Sequence, residues 1–364
     1  MAQPKDRVDP TTRGTSERQA TAGAASFFDE ISGSDEFTPL AAQLAEDARR
    51  RVALEGTLFP KPQETRIFTV ANQKGGVGKT TTTVNLAAAL AIGGLRVLVI
   101  DNDPQGNAST ALGIDHHAGT PSTYDVLIDD VPLAEVIQPC EAVPGLFGAP
   151  ATIDLSGAEI ELVSMVAREN RLRNAIATLQ DDEEQKFDYI FIDCPPSLGL
   201  LTVNAFVAAR EVLIPIQSEY YALEGLSQLL RNIELIRGHL NPTLHVSTIL
   251  LTMYDKRTNL SRQVAEEVHT HFPKQTLDIA IPRSVRISEA PSYGQTVLTY
   301  DAGSTGALAY RAAAQEISKR ATQTGQAGDA DNNGTAPNAD HHANDPQQET
   351  PGNGHLNSED DINE

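Results

Sequence analysis

The sequence contains no tryptophan, two cysteines and three methionines, and aromatic residues make up only 5% of its 364 positions. The two cysteines, Cys140 and Cys194, lack metal-type spacing, which argues against a disulfide framework or a thiolate cluster and fits a reducing, cytoplasmic setting. Long apolar runs are also missing. The most apolar stretch, Val84 to Ile100, is broken by Gly93, Gly94 and Arg96, so no membrane insertion is expected, and the amino terminus has no signal-peptide apolar segment. Lys and Arg are absent from residues 321 to 364, which carry nine acids, while residues 1 to 64 carry eleven acids and eight bases. Of the formal charge of −21, only −9 therefore belongs to the middle of the chain. The overall acidity does not exclude a local basic patch that binds nucleic-acid phosphates.

Both ends are polar, with little sustained periodicity, and read as disordered: an extension over residues 1 to 64 and an acidic tail over 321 to 364. One piece departs from this. Residues 39 to 55, PLAAQLAEDARRRVALE, set Leu40, Leu44, Ala48 and Val52 at four-residue spacing behind a proline suited to a first helical position, which predicts a short helix. It could pack on the core, or dock a partner or a membrane surface.

Between residues 65 and 320, short β-branched runs alternate with helical patterns. The clearest strands are Ile67 to Ala71, Val97 to Asp101, Tyr189 to Asp193, Val212 to Ile216 and Val246 to Thr252. They are continuously apolar rather than alternating, so both faces should be buried, as in a mostly parallel sheet covered by helices. The expected class is a doubly wound α/β domain.

The first strand runs into KGGVGKT, residues 74 to 80, and then into an apolar helix. Such a turn aims several backbone N–H groups at one point, and the helix dipole adds positive potential there. Gly75, Gly76 and Gly78 let the backbone approach phosphate oxygens. Lys79 would reach the β- and γ-phosphates, Thr80 would ligate Mg²⁺, and Thr81 could bond the α-phosphate. Val77 lies within the same loop. The pattern departs from G-x-x-x-x-G-K-[ST] because Gln73 stands where the first glycine belongs and an extra lysine, Lys74, enters the loop. A second lysine can act on its own phosphates or, like an arginine finger, on those of a facing subunit. The string resembles the deviant Walker A motif of the ParA/MinD group of P-loop ATPases. That resemblance implies an ATP-sandwich homodimer in which Lys74 reaches the partner's nucleotide.

Two further strings supply carboxylates where ligands bind in parallel sheets. In DNDPQGN, residues 101 to 107, Asp103 is placed to position or activate an attacking water and Asp101 to support the metal from its second shell. In YIFIDCPPSLG, residues 189 to 199, Asp193 closes a strand in the Walker B manner and would hold Mg²⁺. Cys194 beside it reads as a small buried residue, and His116 and His117 as loop residues rather than ligands.

The loop alone does not separate DNA-segregation ATPases from membrane-bound septum regulators or iron-protein reductases. VLIPIQSEYYALEGL (212 to 226), LLTMYDKRTNLSRQV (250 to 264) and IPRSVRISEAPSYGQTVLTYD (281 to 301) resemble ParA (Soj-type) chromosome-partitioning ATPases, and ASTALGIDHH (108 to 117) resembles their actinobacterial chromosomal branch. The resemblance implies that Lys74, Lys79 and Asp103 are catalytic, and that Met253 and Pro282 lie near the adenine. It also implies that Arg257 and Arg286, with Lys256, Arg262 and Arg283 as neighbours, bind DNA without sequence preference. The alternative for these cations is ordinary surface pairing with Asp255, Glu266, Glu267 and Glu289. Implied partners are a ParB-type centromere-binding protein that stimulates hydrolysis and a polar or cell-division scaffold, with the protein associated with the nucleoid. A MinD-like membrane-associated regulator is the rival; it would need a basic amphipathic carboxyl-terminal helix, and the acidic terminus shows none.

Overall fold

A computed structural model describes residues 39–181, 186–219 and 222–330. Seven strands form one sheet: β1 (Arg66–Val70), β2 (Val97–Asp101), β3 (Gln138–Pro139), β4 (Leu146–Ala149), β5 (Tyr189–Asp193), β6 (Glu211–Gln217) and β7 (His245–Thr252). Their order is β3-β4-β2-β5-β1-β6-β7, and every pairing is parallel except β3 with β4 at one edge. The expected strands are all present. The short β3 and β4 were not anticipated, since two- and four-residue strands carry too little pattern to read.

The central strands are apolar throughout because both faces are covered. β2 and β5 are buried along their whole length. The helix Lys79–Ile92 is buried from Thr82 to Ala91, so its apolar residues run around the whole cylinder rather than along one stripe. At its end Gly93 is required by contact: a Cβ there would lie 2.4 Å from the Phe59 ring. Phe59 is itself buried, and its N–H donates to Gly93 O, so packing starts before residue 65.

At the amino ends of the strands, Arg66 pairs with Glu211 (Nε to Oε1, 2.7 Å) and lies over the Phe68 and Tyr189 rings. This partly buried ion pair faces away from the strand ends where such sheets bind ligands, and its role is structural.

The predicted amino-terminal helix is present as Pro39–Leu54. The face it buries differs from the expected stripe: Ala45 and Leu54 are buried, whereas Leu44 is 60% and Val52 50% exposed. Polar anchors set its rotation instead, with Thr305 Oγ1 donating to Asp47, Arg51 to Gly303 O, and Arg311 to Leu54 O. At the other end the helix Thr305–Ala330 runs ten residues past the boundary expected at 320, through an ATQTGQAGDA segment that contains no proline. Residues 1–38 and 331–364, on which the rest of the disorder expectation falls, lie outside the described residues. Among the described residues no helix is long and apolar enough to cross a membrane.

Candidate functional site

The parallel register brings the carboxyl ends of β1, β2, β5, β6 and β7 to one rim. Asp101 and Asp193 are direct cross-strand partners, as are Val70 and Asp193, and Gln217 and Thr252. β1 leads into the glycine loop, so the loop sits at the middle of this rim.

The loop is fixed by side chains outside it. Asn72 donates to Pro215 O and accepts from the Lys74 N–H, while Thr252 Oγ1 donates to Val77 O. Gly76 and Gly78 have φ of 75° and 87°, which other residues adopt only at a cost. A Cβ on Gly75, Gly76 or Gly78 would meet nothing within 4 Å, so the loop borders open space. Gln73, in the place of the usual first glycine, is half-buried.

Lys79 opens the helix and is 7% exposed, with Nζ 3.4 Å from Lys74 O. Burial lowers its pKa, and the nearby Asp193 and Asp103 oppose that shift. Lys74 points elsewhere, its ammonium held 2.7 Å from Glu219 Oε2 at the loop's rim. Glu219 is a site residue that the sequence reading missed; it lies inside the SEYYALEGL string, but nothing local marks it as a partner for a lysine 145 positions away.

Asp193 is fully buried. Its Oδ1 accepts from Thr83 Oγ1 at 3.0 Å, and its Oδ2 has no partner among the described residues. Desolvation, reinforced by the Asp101 charge, raises its pKa to about 8 against the pull of the Thr80 and Thr83 hydroxyls. Thr83 was also missed, although it lies three residues after Thr80 and so shares its helix face. A buried carboxylate with a free oxygen beside the Thr80 hydroxyl is the hard-oxygen donor set that magnesium takes together with phosphates and waters.

Asp101 does not stand ready for a metal. Its Oδ2 accepts from the Ser109 N–H (2.8 Å) and Oγ (2.7 Å), and its Oδ1 from the Asp103 N–H (3.3 Å). It positions the turn that carries Asp103. Burial raises its pKa to about 6 against those hydrogen bonds. Asp103 accepts from the Gln105 N–H through Oδ1, which leaves Oδ2 for a further donor.

Beside the loop lies a cavity of about 140 Å³ lined by Gly78, Thr81, Met253, Pro282, Ile287 and Tyr310, among others. Both expected adenine neighbours therefore border the same hollow as the loop. Met253 has a φ of 50°, and Tyr254 and Pro282 form a β-bridge that joins its two walls. A larger cavity of about 410 Å³ between residues 126–134 and 166–179 is remote from these groups, and its Arg171 is occupied by Ile128 O and Asp130.

The same two walls carry the expected DNA-contacting residues. Arg257 is 88% exposed and pairs with Asp255 (2.9 Å), while Arg286 pairs with Glu289 (3.2 Å) and Asp301 (3.5 Å). Surface pairing is thus realised for both in this structure, and exposed pairs of this kind are weak and screened by salt. Cys140 and Cys194 are free and buried, and burial raises both thiols, Cys140 to about 12. His116 bonds to Thr110 and Ile114 O, and no metal-ligating cluster occurs among the described residues.

A glycine loop between a central parallel strand and a helix, with a second lysine inside it and carboxylates at the neighbouring strand ends, defines a P-loop ATPase of the deviant Walker A class. Residues 65–246 match the family described as an AAA domain. The chain is 52% identical to the chromosome partitioning protein ParA of Myxococcus xanthus (strain DK1622), over 71% of this chain and 89% of that one. It is also 52% identical to the sporulation initiation inhibitor protein Soj of Bacillus subtilis (strain 168), over 69% and 98%. Among solved structures it is similar to a cobyrinic acid a,c-diamide synthase from Mycobacterium smegmatis with bound ADP and magnesium, at 39% identity and a TM-score of 0.61, covering 72% of this chain and 96% of that one. The chain belongs to the ParA/Soj family of chromosome-partitioning ATPases.

Proposed function

We propose that this protein is an ATP-driven switch that binds DNA as a dimer and releases it on hydrolysis, moving chromosomal DNA within the cell. The observation that carries the reading is a shared wall: Thr252 and Met253, and residues of the segment 281–288, border the nucleotide cavity, and the first segment leads on to Arg257 while the second contains Arg286. A nucleotide seated there acts on the position of the cationic loops.

In this reading residues 74–81 would hold the ATP phosphates, with Lys79 serving the β- and γ-phosphates, and Thr80 and Asp193 would hold Mg²⁺, whose charge would neutralise that of the phosphates. Met253 and Pro282 flank the adenine. Asp103 orients the attacking water and takes up its proton through the carboxylate oxygen left free by Gln105. Lys74 leaves Glu219 and reaches the nucleotide of a second copy. Arg257 and Arg286 exchange Asp255 and Glu289 for DNA phosphates, so binding is salt-sensitive and indifferent to sequence. A ParB-type protein bound at the centromere stimulates hydrolysis, and the protein is associated with the nucleoid, with residues 65–320 as its ATPase domain.

The test is retention on DNA with ATP against ADP, repeated with Arg286→Glu. DNA retention that requires ATP and is weakened by the substitution, while nucleotide binding is spared, supports the reading. Equal retention with ADP, or ATP-dependent sedimentation with liposomes instead of DNA, refutes it.

A further inference from the structure

The helix Pro39–Leu54 lies outside residues 65–246, the part matching the AAA-domain family, yet it is tied to both basic loops. On one side Glu46 pairs with Lys256 (3.6 Å), next to Arg257. On the other, Arg51 donates to Gly303 O (2.9 Å) and Asp47 accepts from Thr305, in the turn that begins at Asp301, the partner of Arg286. The helix therefore spans the space between the turn carrying Arg257 and the turn supporting Arg286. Three consecutive arginines stand on it, their side chains leaving the helix about 100° apart. Arg50 is engaged by Glu46 and Arg51 by the Gly303 carbonyl, whereas Arg49 is exposed and makes no ion pair or hydrogen bond among the described residues. Arg49 stands at i+3 from Glu46, the residue that pairs with Lys256, so the two are neighbours on the helix surface.

We propose that this helix is a wall of the DNA-binding face, with Arg49 contacting a backbone phosphate beyond those reached by Arg257 and Arg286. The inference rests on the DNA-binding reading above. It gives the helix a cationic task rather than an apolar one, which explains why polar anchors fix its rotation and leave Leu44 and Val52 in solvent. Each neutralised phosphate contributes about 0.9 to the slope of log K against log salt, so a dimer carrying two copies of Arg49 gains about 1.8.

The experiment measures binding of the full chain with ATP to a random-sequence duplex between 50 and 200 mM salt, using Arg49→Ala and, separately, Arg286→Glu. Thermal midpoint and ATP affinity serve as controls, and both should stay unchanged for Arg49→Ala. The expected result is a slope lower by about 1.8 and binding weakened roughly tenfold. A slope unchanged by Arg49→Ala but lowered by Arg286→Glu overturns this proposal alone. If neither variant alters the slope, the DNA-binding reading fails with it. If Arg49→Ala instead abolishes binding to phosphatidylglycerol vesicles and leaves DNA binding intact, the helix serves a membrane and the proposal is wrong.

Discussion

Gly75→Val separates the folding of the phosphate loop from its use. The backbone φ of Gly75 is not positive, and a Cβ built on it meets no atom within 4 Å. A β-branched side chain is therefore neither strained nor in collision within one chain. Stability should stay within about 0.5 kcal/mol, or rise by about 0.4–1 kcal/mol as the unfolded chain loses freedom. ATP binding should be retained, since Lys79, Thr80 and Asp193 are untouched, with affinity reduced only by the poorer approach of the residue 75 backbone to phosphate. If Lys74 crosses to a partner's nucleotide, however, the two loops must meet closely at this exposed residue. Inserting a side chain into a packed contact costs about 1–3 kcal/mol, and twofold symmetry applies the cost twice, giving about 2–6 kcal/mol. The ATP-dependent dimer should weaken by roughly 30-fold to 10⁴-fold. Thermal melts, titration calorimetry with a non-hydrolysable ATP analogue, and sedimentation equilibrium would measure the three quantities. A variant that folds, binds ATP and dimerises as tightly as the parent would refute the facing-loop geometry.

Gly76→Ala should behave differently, because its φ of 75° imposes a conformational cost of about 1–2 kcal/mol with no steric clash. A fall in melting temperature of roughly 2–8 °C is expected, and an unchanged melt would contradict the loop conformation. Asp103→Ala should slow single-turnover hydrolysis by about 10²–10⁴-fold with ATP affinity retained, trapping the dimer on DNA; hydrolysis at the parent rate would remove Asp103 from the chemistry. Glu219→Gln should change stability by no more than about 1 kcal/mol and tighten the ATP-dependent dimer by up to about 30-fold, as two copies of Lys74 are each released from a pair worth about 1 kcal/mol or less. A looser dimer on analytical ultracentrifugation would show that Glu219 supports Lys74 instead of restraining it.

The parallel sheet was readable because burial on both faces leaves a continuous apolar run, and because each strand ends at a chemical marker: the loop after β1, Asp101 after β2, Asp193 after β5. Met253 and Pro282 were legible as neighbours only through family likeness, since a bridge between Tyr254 and Pro282 is a long-range contact with no local signal. The same holds for Glu219 against Lys74. The strand position of Asp101 suggests a supporting role behind the metal, and only the fold brings Ser109 against it with two donors. The proline and spacing point to a helix over 39–55, and the structure has one at Pro39–Leu54, but the face it buries is not the stripe that spacing marks out. Hydrophobic periodicity assumes that burial sets the rotation, and here three hydrogen bonds to the carboxyl-terminal region set it.

The wall shared by the nucleotide cavity and the cationic loops carries a thermodynamic obligation. If ATP strengthens DNA binding by some factor by moving residues 252–257 and 281–288, DNA must strengthen ATP binding by the same factor. A molecule on the chromosome would then hold its nucleotide longer than one in free solution. Under the proposed function the chromosome would be an effector of the enzyme as well as its track, and nucleotide exchange would be concentrated in the population that has let go.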